Sequence, residues 1–287
     1  MFKLTIFGQA DLANYRIFDA QGNQAGFDEI FSEIAKTEVV FLGENHDDAT
    51  AHALQLEIFK MVVEKYVNSH KVALSMEMFE RDVQIVVNEY LNNQISENHF
   101  LLSSRPWNNY KTDYRSLLEI AKDQKLPVIA ANAPRRYINM VSRNGRNAVN
   151  LLTPEAKKWL APLPYGQPSD AYTNKFKALM GGSPESSMGL NNILDSQTLW
   201  DATMAFSIAE FLKANKKPFV VHLNGSFHTE NRLGIAEHLL KYRPKTKFLV
   251  ITMRYEDDFT NFDKAKHFNL GDFVILTNAK VPRSFKR

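Results

Sequence analysis

Glu44 and His46 lie two residues apart in Gly43-Glu44-Asn45-His46, directly after the apolar run Glu38-Val39-Val40-Phe41-Leu42. A carboxylate and an imidazole this close can pass a proton between them or share a cation. Glu77 follows a second apolar run, Val72-Ala73-Leu74-Ser75-Met76. Burying an unpaired carboxylate is costly, so Glu77 is expected to face a partner or a metal. A third run, Pro218-Phe219-Val220-Val221, leads into His222, Asn224, Ser226 and His228. Glu44, His46, Glu77, His222 and His228 are therefore candidate metal-ligating or acid–base groups. A plainer reading of the same residues stays open. Asp47 or Asp48 would cap a following helix, with Glu44 and His46 in solvent and His222 a hydrogen-bonded core residue. Asp201 reads as a structural residue that pairs locally. His52, His70, His99, His238 and His267 read as surface or packing residues.

The candidate groups sit at the ends of strand-like runs. Residues 39–42, 72–76, 127–131, 218–225, 248–253 and 273–276 are short, apolar and rich in β-branched and aromatic types, which reads as buried strands. Helical spacing of apolar residues covers 51–66, 82–91, 114–122, 134–141, 171–180, 194–212 and 232–242. The alternation predicts an α/β fold, a mostly parallel sheet flanked by helices. In such sheets ligands bind beyond the carboxyl ends of the strands, so the candidate groups would share one edge. Residues 153–191 carry five prolines and four glycines. They read as an inserted helical or loop-rich lid within a single domain spanning residues 1–287. Residues 254–268 are charged and read as a loop.

Composition narrows the chemistry. The net charge of +3 comes with no basic run, so no nucleic-acid partner is expected. The chain has no cysteine, which excludes disulfides, thiolate metal sites, a cysteine nucleophile and covalently attached c-type haem. Histidines, carboxylates and tyrosines remain as ligands, favouring hard or borderline ions or haem. No apolar run is long enough to span a membrane. The start, residues 1–7, is too short for a signal sequence. Membrane association would need a leader or lipid anchor that this chain does not show.

Five motifs occur in order: Gly43-Glu44-Asn45-His46-Asp47, Glu77-Met78-Phe79, Asn132-Ala133-Pro134-Arg135, Gln197-Thr198-Leu199-Trp200-Asp201-Ala202-Thr203-Met204-Ala205 and Asn224-Gly225-Ser226-Phe227-His228. Together they resemble the ChaN-like haem-binding uptake family, a branch of the Tiki and erythromycin-esterase-like superfamily, over about residues 14–253. The resemblance implies haem held by a dimer in a bacterial iron-acquisition setting, with the iron bound by a tyrosine. Many such proteins are envelope lipoproteins, but this chain has no lipobox cysteine. Phenolate suits ferric haem. Tyr137, just beyond Pro134-Arg135-Arg136, is the first candidate, followed by Tyr165 and Tyr172 in the expected lid. Arg135 and Arg136 are candidates for the haem propionates. The wider superfamily implies an alternative, a hydrolase with a divalent metal that uses Glu44, His46, Glu77 and His228, with His222 as a further neighbour. Residue types and spacing point to a polar site; haem enters through the resemblance.

Overall fold

A computed structural model describes residues 13–181 and 188–285. The opening stretch 1–7 and residues 182–187 of the expected lid lie outside the described residues. The strands are β1 (Tyr15–Asp19), β2 (Val39–Glu44), β3 (Lys71–Glu80), β4 (Val128–Asn132), β5 (Pro218–Gly225), β6 (Phe248–Glu256) and β7 (Phe273–Asn278). They form one sheet in the order β1-β7-β6-β2-β5-β3-β4. Every pairing is parallel except β1 with β7. The carboxyl ends of β2 to β7 therefore share one edge, as the α/β reading expects.

The helices are α1 (Phe27–Ile34), α2 (Ala49–Tyr66), α3 (Gln84–Leu91), α4 (Glu97–Ser104), α5 (Arg115–Asp123), α6 (Arg135–Asn144), α7 (Pro154–Lys157), α8 (Asp170–Leu179), α9 (Met188–Ala214), α10 (Ile235–Tyr242) and α11 (Lys264–His267). Side chains alternate across a strand, and in β2 this divides the residues between two cores. Val40 and Leu42 enter the core beneath α1, α2 and α5, while Val39 and Phe41 enter the one beneath α9 and α10. Burial on both faces is why these strands read as unbroken apolar runs. Among the described residues no helix is long and apolar enough to cross a membrane.

Several elements differ from the expectation. β2 runs through Gly43 to Glu44, so the glycine does not end the strand. β3 continues past Met76 to Glu80, and its register against β4 shifts between Met76 and Glu80. That bulge lets Met78 and Phe79 both enter the core on the α2 side, a re-aiming typical of bulges near sites. The charged segment 254–268 is not all loop: β6 extends to Glu256 and α11 lies beyond it. β1 and α1 have no counterpart among the expected elements.

Candidate functional site

The turn after β2 holds both a helix cap and the acid–imidazole pair. Asp48 caps α2, accepting from the N–H groups of Thr50 (3.0 Å) and Ala51 (3.1 Å). Glu44 is not solvated; it is 1% exposed. It belongs to the face of Val40 and Leu42, where Tyr114 donates its hydroxyl to Glu44 Oε1 at 2.5 Å. Tyr114 ends a one-turn π-helix, Tyr110–Tyr114, ahead of α5. Such turns are frequent at functional sites. His52 Nδ1 lies 3.3 Å from Glu44 Oε2, and its Nε2 lies 3.3 Å from Asp113 Oδ2. Burial opposes the Glu44 charge, but the charge and hydrogen bonds of His52 and His46 outweigh it and hold this carboxyl at about 2. Burial likewise opposes charge on His52, yet Glu44 and Asp113 lift it to about 9.

This pairing makes stability depend on pH. Glu44 contributes fully above its unfolded value near 4.5 and loses that share as pH falls toward about 2. His52 contributes fully below about 6.5 and loses its share as pH rises through about 9. The pair alone gives a plateau between these limits and an alkaline decline on the order of 3 kcal/mol. Denaturant melts of His52→Gln across pH 6–9 are expected to show a lower, flatter profile than the unaltered chain. An unchanged alkaline slope would refute the pairing.

His46 stands at the sheet edge between two groups of side chains. Its Nδ1 is 2.9 Å from Glu44 Oε1. An ionised carboxylate only accepts, so Nδ1 carries the hydrogen and donates. The imidazole lies edge-on to Trp107, at 4.8 Å and 84°. It also sits against Gly225, where a Cβ would come within 2.8 Å of the ring, so only glycine fits there. Burial lowers the His46 proton affinity, but the Glu44 hydrogen bond and the Glu77 charge raise it above the ordinary value.

The second group occupies the opposite face. Glu77 shares the side of Ala73, under α9, and its Oε2 accepts the Gly225 N–H at 2.7 Å. A short 3-10 turn after β5, Ser226–His228, carries His228 to α9, where Nδ1 donates to Asp201 Oδ1 at 2.6 Å. His228 Nε2 is 3.8 Å from Glu77 Oε1. Burial opposes its charge, but Asp201 and Glu77 raise it to about 8. Two imidazoles, each tied through Nδ1 to a buried carboxylate, thus flank Glu77.

These groups open on a pocket of about 570 Å³. Arg135, Ile138, Asn139 and Ser142 line it from α6, and Ile193, Ser196, Gln197 and Trp200 from α9. Both sets keep the spacing i, i+3, i+4, i+7, one stripe of each helix. His46, Glu77, His228 and Trp107 close the sheet end. No described lining residue comes from 153–181 and none is a tyrosine.

The remaining sequence candidates are scattered. His222 is fully buried, its Nδ1 hydrogen-bonded to Ser75 Oγ at 2.8 Å, and burial and His228 drive it down to about 3. Tyr137 is half-buried on the side of α6 away from the pocket stripe, and its hydroxyl accepts from Arg136 at 3.1 Å. Arg136 is held by Asp82 at 2.5 Å, whereas Arg135 is exposed at the pocket rim. Tyr165 is enclosed and donates to the Asp195 carbonyl at 3.1 Å, with Arg146 3.7 Å above its ring. Tyr172 is 1% exposed beside Phe227, and burial and Asp201 push its phenol far up. Among the described residues no three or more His, Asp or Glu side chains are arranged to hold a metal ion.

Sequence reading gave Asp201 as a locally paired structural residue and His52 as a surface or packing residue, whereas they meet His228 and Glu44, and it passed over Tyr114, Asp113 and Trp107. For Asp201 a signal existed: Thr198, Ala202 and Ala205 surround it on an apolar helix, so an acid there points inward and needs a partner. For Tyr114 nothing local marks its meeting with Glu44.

Residues 30–239 match the family described as haem-binding uptake, Tiki superfamily, ChaN. Among solved structures the chain is similar to ChaN of Campylobacter jejuni with cofacial haem binding, at 20% identity and a TM-score of 0.70, covering 93% of this chain and 98% of that one. It is also similar to the erythromycin esterase EreC in its open conformation, at 12% identity and a TM-score of 0.48, covering 92% and 83%. No curated protein matches this chain.

Proposed function

The chain belongs to the haem-binding uptake family of the Tiki superfamily, the ChaN group, and on that premise we propose that it binds haem in the pocket between α6, α9 and the carboxyl edge of the sheet. Family membership carries the reading, and the character of the pocket supports it. Haem is a flat apolar ring with carboxylates at one edge. Trp107, Trp200, Ile138 and Ile193 offer apolar walls, and about 570 Å³ lies within the range of small-molecule sites. Arg135 stands at the rim, where among the described residues its ion pairing is a long 3.9 Å contact to Glu80, leaving it able to take a propionate. Bound haem would supply the iron and its visible absorption; the chain would supply enclosure, anion recognition and a ligand. Of the three tyrosine candidates, Tyr165 and Tyr172 are enclosed, and Tyr137 is the more accessible, on the side of α6 away from the pocket stripe. Two copies meeting over this edge, as the family implies, would shield the exposed mouth of the pocket.

The test is a haemin titration of the full chain followed by absorption, with elemental analysis of the purified protein. A saturable Soret band is the expected result. Haemin spectra indistinguishable from those in buffer would sink the proposal.

A further inference from the structure

Resting on the haem reading, we propose that Arg105 and Arg135, both drawn to Glu80, clamp the carboxylate edge of the porphyrin, so that the pocket selects porphyrins with free propionates. The clamp acts at the edge of the ring and is independent of the residue that holds the iron. Glu80 ends β3 and lines the pocket beside Arg135. Its Oε2 accepts from Arg105 Nη2 at 2.9 Å, and its Oε1 lies 3.9 Å from Arg135 Nε. One carboxylate therefore holds together at the mouth two guanidiniums that would otherwise repel each other. Arg105 arrives there from the end of α4, 25 residues on in the sequence. It is the residue that closes α4, in the left-handed conformation at φ 52 and ψ 49, which is unfavourable for any residue with a side chain. Trp107, two residues later, lines the pocket.

The charge at this mouth is not balanced. Three guanidiniums, of Arg105, Arg135 and Arg136, share two carboxylates, of Glu80 and Asp82. Asp82 is committed on both oxygens: Oδ1 accepts from Arg105 at 2.7 Å and Oδ2 from Arg136 at 2.5 Å. Arg136 also donates to the Tyr137 hydroxyl. Both bonds of Arg105 run through Nη2, so among the described residues its Nε and Nη1 donors have no partner. Arg135 is exposed, and 3.9 Å to Glu80 is beyond hydrogen-bond length. A guanidinium presents its donors as a fork that matches a carboxylate. Two such forks match the two propionates on one edge of haem. The surplus positive charge and the spare donors thus suit a ring with two carboxylates and not an uncharged one.

The test titrates haemin and haemin dimethyl ester, in one dilute detergent buffer, into the unaltered chain, Arg105→Asn, Arg135→Gln and the double variant. The Soret band is the readout. Asparagine tolerates the left-handed backbone at position 105, and thermal melts check the fold. Lys60→Gln removes an exposed charge from α2 and controls for net charge. The unaltered chain is expected to bind the diester at least about tenfold more weakly than haemin, the factor that a lost charge-assisted bond carries. Each arginine variant is expected to lose a comparable factor for haemin alone, and the double variant to bind haemin and diester equally. Several results would overturn the clamp and leave haem binding intact. They are equal affinity of the unaltered chain for both ligands, haemin binding unchanged in either arginine variant, a loss that falls equally on both ligands, or a loss of the same size in Lys60→Gln. No saturable haemin binding by the unaltered chain would overturn the haem reading itself, and the clamp with it.

Discussion

Asp201→Ala is expected to destabilise the folded chain by roughly 3–5 kcal/mol below pH 6.5, because it strands the His228 imidazolium without its buried counter-charge. For a chain of this size that corresponds to a fall in Tm of roughly 10 °C. The contact removed is the 2.6 Å bond from His228 Nδ1 to Asp201 Oδ1, with Asp201 fully buried. His228 is raised from 6.5 to about 8, so its share of stability is whole below 6.5 and is lost as pH climbs through about 8. The difference between variant and parent is therefore expected to narrow on the alkaline side. Proton NMR titration of His228 in Asp201→Asn gives the complementary readout, with its midpoint expected to drop below that of the unaltered chain. A pH-independent difference, or an unmoved midpoint, would show that Asp201 does not hold the charge on His228.

Gly234→Ala is expected to cost about 3 kcal/mol or more, from a methyl group alone. Gly234 caps the start of α10 with φ +59 and ψ −114, a conformation strained for any L side chain. A Cβ would come within 2.4 Å of the His228 carbonyl oxygen and 2.9 Å of Asp201 Oδ2. Neither can yield cheaply, since one is backbone and the other belongs to the Asp201–His228 pair. Gly181 supplies the control. Its φ is +87, but among the described residues a Cβ there meets nothing within 4 Å, so Gly181→Ala is expected to show the conformational cost alone, on the order of 1 kcal/mol. Paired denaturant melts decide the matter. Equal losses at the two positions would mean that the crowding around Asp201 is not what Gly234 relieves.

How much of this could be read from the chain depends on where each contact lies. β2, β3 and β5 are buried on both faces and announce themselves as apolar runs, and His46, Glu77 and His228, at or just beyond their carboxyl ends, gather at the pocket. β1 escaped because it is a short edge strand with Arg16 and Asp19 only partly buried. α1 carried a readable stripe, Phe27, Ile30, Phe31 and Ile34, although only 8 residues long. The site divided along similar lines. Glu44 and His46 are local in sequence, and so is their bond. Tyr114 meets Glu44 across 70 residues and Asp201 meets His228 across 27, so helix packing and not spacing creates those contacts. Parity also hid a fact that matters for mechanism. Glu44 and Glu77 are both strand-end acids, yet they lie on opposite faces of the sheet, and only His46, at the edge, lies against both groups.

Ser142 allows a direct test of where haem binds. It lies on the α6 stripe that lines the pocket, half-buried, with its hydroxyl bonded to the Asn139 carbonyl at 3.0 Å. Ser142→Trp would fill the cavity from the helix side while leaving Glu44, His46, Glu77 and His228 in place. The decisive measurement is a haemin titration of Ser142→Trp beside the unaltered chain, with thermal melts confirming that both are folded. Haem binding in this pocket predicts a saturable Soret band for the unaltered chain and at least about tenfold weaker binding for the variant. Equal affinity in the two proteins, or no saturable band in the unaltered one, would contradict it.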